Sequence, residues 1–147
     1  MSGIVEPLPV AVYTADAQVG KAAQHEEMLR RTEFLESLIA DLPEQPKGGP
    51  GHNRQPITQD DVHEIAQAIA VLKAQPVVPT APDDVRAAQS VLQKIAGRLG
   101  TYLDNFFLEA FKSAGKEFGK QLARAPYWLA LWYALQRLDQ ALTGWLH

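Results

Sequence analysis

Apolar positions fall into four stretches at helical spacing, separated by clusters of proline and glycine. In the first, over residues 14–42, they are sparse at Val19, Ala22 and Ala23 and dense at Met28, Leu29, Phe34, Leu35, Leu38, Ile39 and Leu42. Met28, Leu35 and Leu42 are spaced by seven, but the matching earlier positions hold His25 and Thr32. A coiled coil needs three or four sustained heptads. The pattern therefore predicts an amphipathic helix docked on a core, starting near Thr14 with Asp16 in its first turn and stopped by Pro43. Residues 3–13 contain Pro7 and Pro9, and no second strand is available to pair with them. They predict an extended arm.

The clearest break is residues 43–56, where four prolines and three glycines exclude a helix or strand interior. A second helix follows, with Thr58 as N-cap, Asp61 completing a carboxylate form of the capping box, and a stripe of Val62, Ile65, Ala66, Ile69 and Leu72 before Pro76. A stiff connector, residues 76–82, leads to a third helix opening at Thr80 or Pro82 with Asp83 and Asp84 at its positive end. Its stripe runs from Val85 through Leu92, Leu99, Phe106 and Phe118 to Leu122, unbroken before Pro126. Forty such residues would span about 60 Å, whereas a compact chain of this length has a radius of gyration of only about 15 Å. Either this helix bends, at Gly97/Gly100 or Gly115/Gly119, or the molecule is elongated and shares surface with a partner. A fourth helix runs from Pro126 to Leu146, with Trp128, Leu131, Trp132, Leu135, Leu138, Leu142 and Trp145 on one stripe. The expectation is an all-α chain of four helices with a C-terminal αα-hairpin. It divides into residues 1–57 (arm, helix and linker) and residues 58–147 (helical domain).

Charge is uneven along the chain. Residues 1–97 carry 8 Lys/Arg against 13 Asp/Glu, whereas residues 98–147 carry 6 against 4. The acidic balance argues against non-specific nucleic-acid binding, which depends on neutralising phosphates. With no cysteine, disulfides, thiolate metal sites and thiol nucleophiles are all excluded. The first residues show neither a basic nor an apolar leader segment, and no window of about 18 uncharged apolar residues exists for a membrane span. A cytoplasmic chain, able to lie at a membrane surface, is the expectation.

Three features carry candidate chemistry. Gly97, Gly100, Gly115 and Gly119 sit inside the third helix, where each costs about 1 kcal/mol relative to alanine. Close helix crossing or self-association would offset that cost. Lys112, Lys116, Lys120 and Arg124 recur every four residues. They could meet an anionic partner or lipid headgroups, or simply face solvent near the negative end of the helix. Tyr127, Trp128, Trp132, Tyr133 and Trp145 crowd the fourth helix. They suit either a core or, together with Gly115 and Gly119, a partner-binding face. Histidines 25, 52, 63 and 147 show no metal-ligand spacing, and Asp60, Asp61, His63 and Glu64 cluster in a first helical turn where acids are expected anyway. No catalytic residue, metal or cofactor is predicted.

Gly49, Gly51, His52, Asn53 and Pro56 form a Gly-x-Gly-His-Asn-x-x-Pro stretch. It resembles a motif of small proteobacterial and phage proteins without assigned function. Eight residues are covered, and Pro50 and Gln55 stand where that pattern has Ile and Pro. The resemblance implies a bacterial or phage origin and no activity. Taken together, the features predict a non-enzymatic helical oligomerisation or partner-binding protein, such as a component of a phage or mobile-element assembly. The alternative is a membrane-active protein whose fourth helix lies in the interface. Arg137 and Asp139 exclude a full crossing, since each costs about 2.5–3.5 kcal/mol at mid-membrane.

Overall fold

The computed structural model describes residues 10–43, 56–112 and 125–147, with side chains placed over 20–43, 56–108 and 126–147. The described residues form four helices and no strand: α1 (Val10–Ala40), α2 (Gln59–Lys73), α3 (Pro82–Lys112) and α4 (Ala125–Leu146). The fold is all-α, as the periodicity predicts.

Local chemistry sets most of the boundaries. Residues 10–13 are helical, within α1, rather than part of an extended arm; residues 1–9 lie outside the described residues. With no strand to pair with, the β-branched Val10 and Val12 give only a weak preference against helix, and the helix is already formed before Thr14. At the other end, Asp41 and Leu42 donate back three residues to the Leu38 and Ile39 carbonyls, a tightened last turn before Pro43. Helix α2 carries the full capping box: the Asp61 N–H donates to the Thr58 hydroxyl at 3.1 Å, and the Thr58 N–H donates to the Asp61 carboxylate at 2.9 Å. The predicted run of the third helix beyond Lys112 falls in residues 113–124, outside the described residues.

The helices close into a ring in which α1 touches α2 and α4, and α3 touches α2 and α4. Neighbours run antiparallel where contacts define direction. Asp61 meets Arg98 across α2–α3, Gln89 meets Thr143 and Gly100 meets Trp132 across α3–α4, and Lys21 and Leu38 meet Trp145 and Tyr127 across α1–α4. One core fills the centre, with Met28 and Leu35 of α1, Ile65 and Leu72 of α2, Leu92, Ile95 and Leu99 of α3, and Leu131, Leu135, Leu138 and Leu142 of α4. Because α1 contributes to that core, the packing has no division after residue 57.

The seam of α1 is His25, Met28, Thr32, Leu35, Ile39 and Leu42, a three–four alternation that the two polar members obscured in the sequence. Thr32 is fully buried, and its hydroxyl donates to its own helix at the Met28 carbonyl, 2.7 Å away. Since that carbonyl sits in the helix ladder anyway, Thr32→Val should change stability by less than about 1 kcal/mol in urea unfolding, as the hydroxyl has no tertiary partner to lose.

The glycines of α3 separate into two kinds. A Cβ on Gly100 would lie 3.1 Å from Trp132 Nε1, so this glycine admits the indole, whereas nothing lies within 4 Å of a Cβ on Gly97. Gly97→Ala is therefore expected to stabilise by about 0.5–1 kcal/mol through helix propensity. Gly100→Ala should gain less and shift the emission of Trp132, which has to move a few tenths of an ångström.

Candidate interaction surface

The aromatic residues of α4 divide between core and surface. Trp128 and Trp145 are buried, so of the two roles open to these aromatics they take the core one in the folded chain. Trp128 packs edge-on against Tyr102 of α3. Trp145 closes the opposite end, where its Nε1–H donates to the Val77 carbonyl at 2.7 Å and its ring lies 5.4 Å from that of His25. His25 in turn donates through Nε2 to the Gln75 carbonyl at 2.8 Å, and Lys21 donates to the Trp145 carbonyl. The last turn of α4 thus binds both α1 and the α2–α3 connector.

Tyr127 is half-buried and donates its hydroxyl to the Leu38 carbonyl at 2.6 Å. Burial, with Asp41 nearby, pushes its pKa up to about 12, so it remains a donor throughout the ordinary pH range. Trp132 is half-buried against Gly100. Of the five predicted aromatics, only Tyr133 is an exposed one.

Tyr133 does not stand alone. It is 53% exposed, Leu129 one turn earlier is 39% exposed, and Phe34 of α1 is 46% exposed. Phe34 lies on the flank of α1 that continues through Glu27, Arg31 and Leu38. That flank faces α4, as shown by the Tyr127–Leu38 hydrogen bond and by the action of Arg137 on Glu27. Glu27 accepts from Arg31 at 2.8 Å and Arg30 at 2.7 Å, and the Arg31 hydrogen bond, with the charges of Arg31, Arg30 and Arg137, holds its carboxyl below the usual range. The Arg137 guanidinium also sits over the Tyr133 ring, 5.8 Å from its centre. Phe34 thus shares a surface depression with Glu27, Arg30 and Arg31 on α1, while on α4 Tyr133 lies beneath Arg137, whose charge reaches Glu27; Asp41, near Tyr127, is a second carboxylate on this side.

Sequence reasoning missed Phe34, Arg30 and Arg31 as surface groups because α1 was not expected to pair with α4. The available signal was the flank spacing of 27, 31, 34 and 38 beside the seam of 28, 32 and 35. A second apolar group continues at the end of α3, where Tyr102 and Phe106 stack at 6.3 Å, Phe106 and Phe107 meet edge-on, and Leu108 is exposed. Of the other predicted contact residues, Gly115, Gly119, Lys116, Lys120 and Arg124 lie outside the described residues, as does the side chain of Lys112.

The acidic first turn of α2 is structural. Asp61 is buried, caps its helix and pairs with Arg98, while His63 bonds to Gln67 at 3.1 Å. Burial alone would raise the Asp61 pKa. The Thr58 N–H, Arg98 and the Thr58 hydroxyl outweigh it and hold the carboxyl below its ordinary value. Among the described residues no three His, Cys, Asp or Glu side chains are placed to hold a metal ion. Nor is any described helix long and apolar enough to cross a membrane.

The class that this geometry defines is an all-α protein in which the four helices of the described residues pack in a ring. No family model, curated protein or solved structure matches the chain.

Proposed function

We propose that this chain is a non-enzymatic helical module that associates with copies of itself or with another protein through the α1–α4 seam. The observation that carries this is that Phe34 and Tyr133, each about half exposed, both stand beside arginines, Phe34 with Arg30 and Arg31 on α1 and Tyr133 with Arg137 on α4. Aromatic residues and arginine are the types enriched where interfaces concentrate their binding energy. A large apolar side chain left in water forgoes about 25 cal/mol for each Å² that a partner would cover. The resemblance of residues 49–56 supports placing such a module in a bacterial or phage assembly.

An interfacial membrane role leans on the tryptophans of α4, and Trp128 and Trp145 are committed to the core. Light scattering across a wide concentration range tests the proposal. The mass should exceed that of one chain at high concentration, and the double variant Leu129→Ser/Tyr133→Ser should weaken association while leaving the thermal midpoint within about 2 °C, as expected for exposed positions. A single-chain mass at every concentration, combined with binding to anionic vesicles, would favour the membrane alternative instead.

A further inference from the structure

The opposite side of the ring holds a groove of about 310 Å³ between α2 and α3, lined by Glu64, Ala68, Val71, Asp84, Ala88 and Val91. The two helices contribute the same series in antiparallel order. Each has an acid, then an alanine four residues on, then a valine three further: Glu64, Ala68 and Val71 on α2, and Asp84, Ala88 and Val91 on α3. Buried alanines form the floor, half-buried valines the walls, and one carboxylate stands at each diagonal end. No basic side chain lines the groove. Among the described residues neither Glu64 nor Asp84 enters an ion pair, whereas Asp61 and Asp83 on the same two helices do.

Two seams of one molecule are therefore complementary in charge. The α2–α3 groove is floored by small residues and flanked by two unpaired acids. The α1–α4 side presents Phe34 beside Arg30 and Arg31 on α1 and Tyr133 beneath Arg137 on α4, three arginines against the carboxylates of Glu27 and Asp41. In a ring where each helix makes its main contacts with its two neighbours, these seams lie on opposite sides. No single chain can bring them together. A second copy can, with Phe34 or Tyr133 entering over the alanines and the guanidiniums meeting Glu64 and Asp84.

We infer that the occupant of the α2–α3 groove is the α1–α4 seam of another copy, so that the chain assembles head to tail. This rests on the self-association proposed above and specifies its geometry. A contact between unlike faces leaves one free seam at each end, so growth closes into a ring or continues as a filament and does not stop at a symmetric dimer. Placing groove on groove would set acid near acid, which disfavours the symmetric alternative.

Charge reversal on each face, followed by mixing, tests this by sedimentation velocity and light scattering. The wild-type chain should show a mass that rises with concentration past two copies at low salt. It should fall back toward one copy at about 0.5 M salt, where the screening length is only about 4 Å. The variants Glu64→Arg/Asp84→Arg and Arg30→Glu/Arg137→Glu should each remain single chains, with helical circular dichroism and thermal midpoints showing that both are folded. Mixed in equal amounts they should assemble again, because the basic groove of one now faces the acidic seam of the other. Wild-type assembly that survives reversal of the groove acids, or stops at a symmetric dimer, overturns the head-to-tail geometry while leaving self-association standing. A wild-type chain that stays single at low salt overturns both.

Discussion

Trp145→Ala should be the most destabilising substitution in this protein, costing about 3–5 kcal/mol and lowering the thermal midpoint by roughly 10 °C or more. The side chain is fully buried, and it joins three segments rather than two. Its removal leaves a cavity between α1 and α4, unseats His25, and releases the Val77 carbonyl that holds the α2–α3 connector. Trp145→Phe refills most of the volume and loses only the hydrogen bond. Its expected cost is about 1–2 kcal/mol, moderated because the connector is open to water. Urea unfolding followed by circular dichroism measures both, and a loss below 1 kcal/mol for the alanine variant would mean that the end of α4 is not seated as described.

The second large effect is an acid dependence centred on Asp61. In the folded chain its carboxyl is held below the ordinary aspartate value by the Thr58 N–H, Arg98 and the Thr58 hydroxyl, against the opposing effect of burial. A depressed folded pKa means that the unfolded chain binds the proton first as pH falls. The stabilisation is therefore complete above the unfolded value of about 3.9 and disappears as pH drops through the lower folded value. Asp61→Ala should cost about 2–3 kcal/mol near neutrality: about 1 from the cap, and the rest from Arg98 left without its partner, discounted because that side chain is nearly half in water. Thermal midpoints taken from pH 7 downward should show a gap between wild type and Asp61→Ala that is constant to about pH 5 and narrows as pH falls below the unfolded value. Arg98→Ala should shrink the acid-dependent part of the stability and bring its loss to completion at a higher pH, since one of the groups that lower the folded carboxyl's pKa is gone. A gap that persists undiminished at the acid end would show that Asp61 acts through packing rather than charge.

Much of this fold was legible because its signals are local. The Thr58–Asp61 capping box, the stripe of Ile65, Ile69 and Leu72, the start of α3 at Pro82 with Asp83 and Asp84, and the α4 run ending at Leu146 each depend on residues within a turn or two. What was not legible depended on partners far along the chain. His25 and Thr32 read as interruptions of a heptad, yet both occupy the seam. Thr32 satisfies its hydroxyl within its own turn, and His25 finds a carbonyl fifty residues away. Polar residues at seam positions are costly only when unpaired, and the sequence does not show the pairing.

The same blindness affected the aromatic face. Tyr127, Trp128, Trp132, Tyr133 and Trp145 are equivalent as letters, and the rotation of α4 against α1 and α3 separates the buried from the exposed. Gly100 was recognisable as a site of close approach and is one. Gly97 carried the same signal and faces open space. The arginines around Glu27 held no signal as a surface until α1 was placed beside α4.

That placement also bears on how the chain is made. The α2–α3 pair and the α3–α4 pair join neighbours in sequence, but the extensive contact of α1 is with α4, and Lys21 and Trp145 are 124 residues apart. Synthesis proceeds at about 5–20 residues per second, so the apolar seam of Met28 and Leu35 emerges several seconds before α4 exists to cover it. During that interval α1 has only the smaller contact with α2. A nascent chain stalled before residue 125 should therefore bind holdase chaperones through α1 and be cut readily by protease. One extended by the 22 residues of α4 and a spacer long enough to clear the exit tunnel should become protected in a single step.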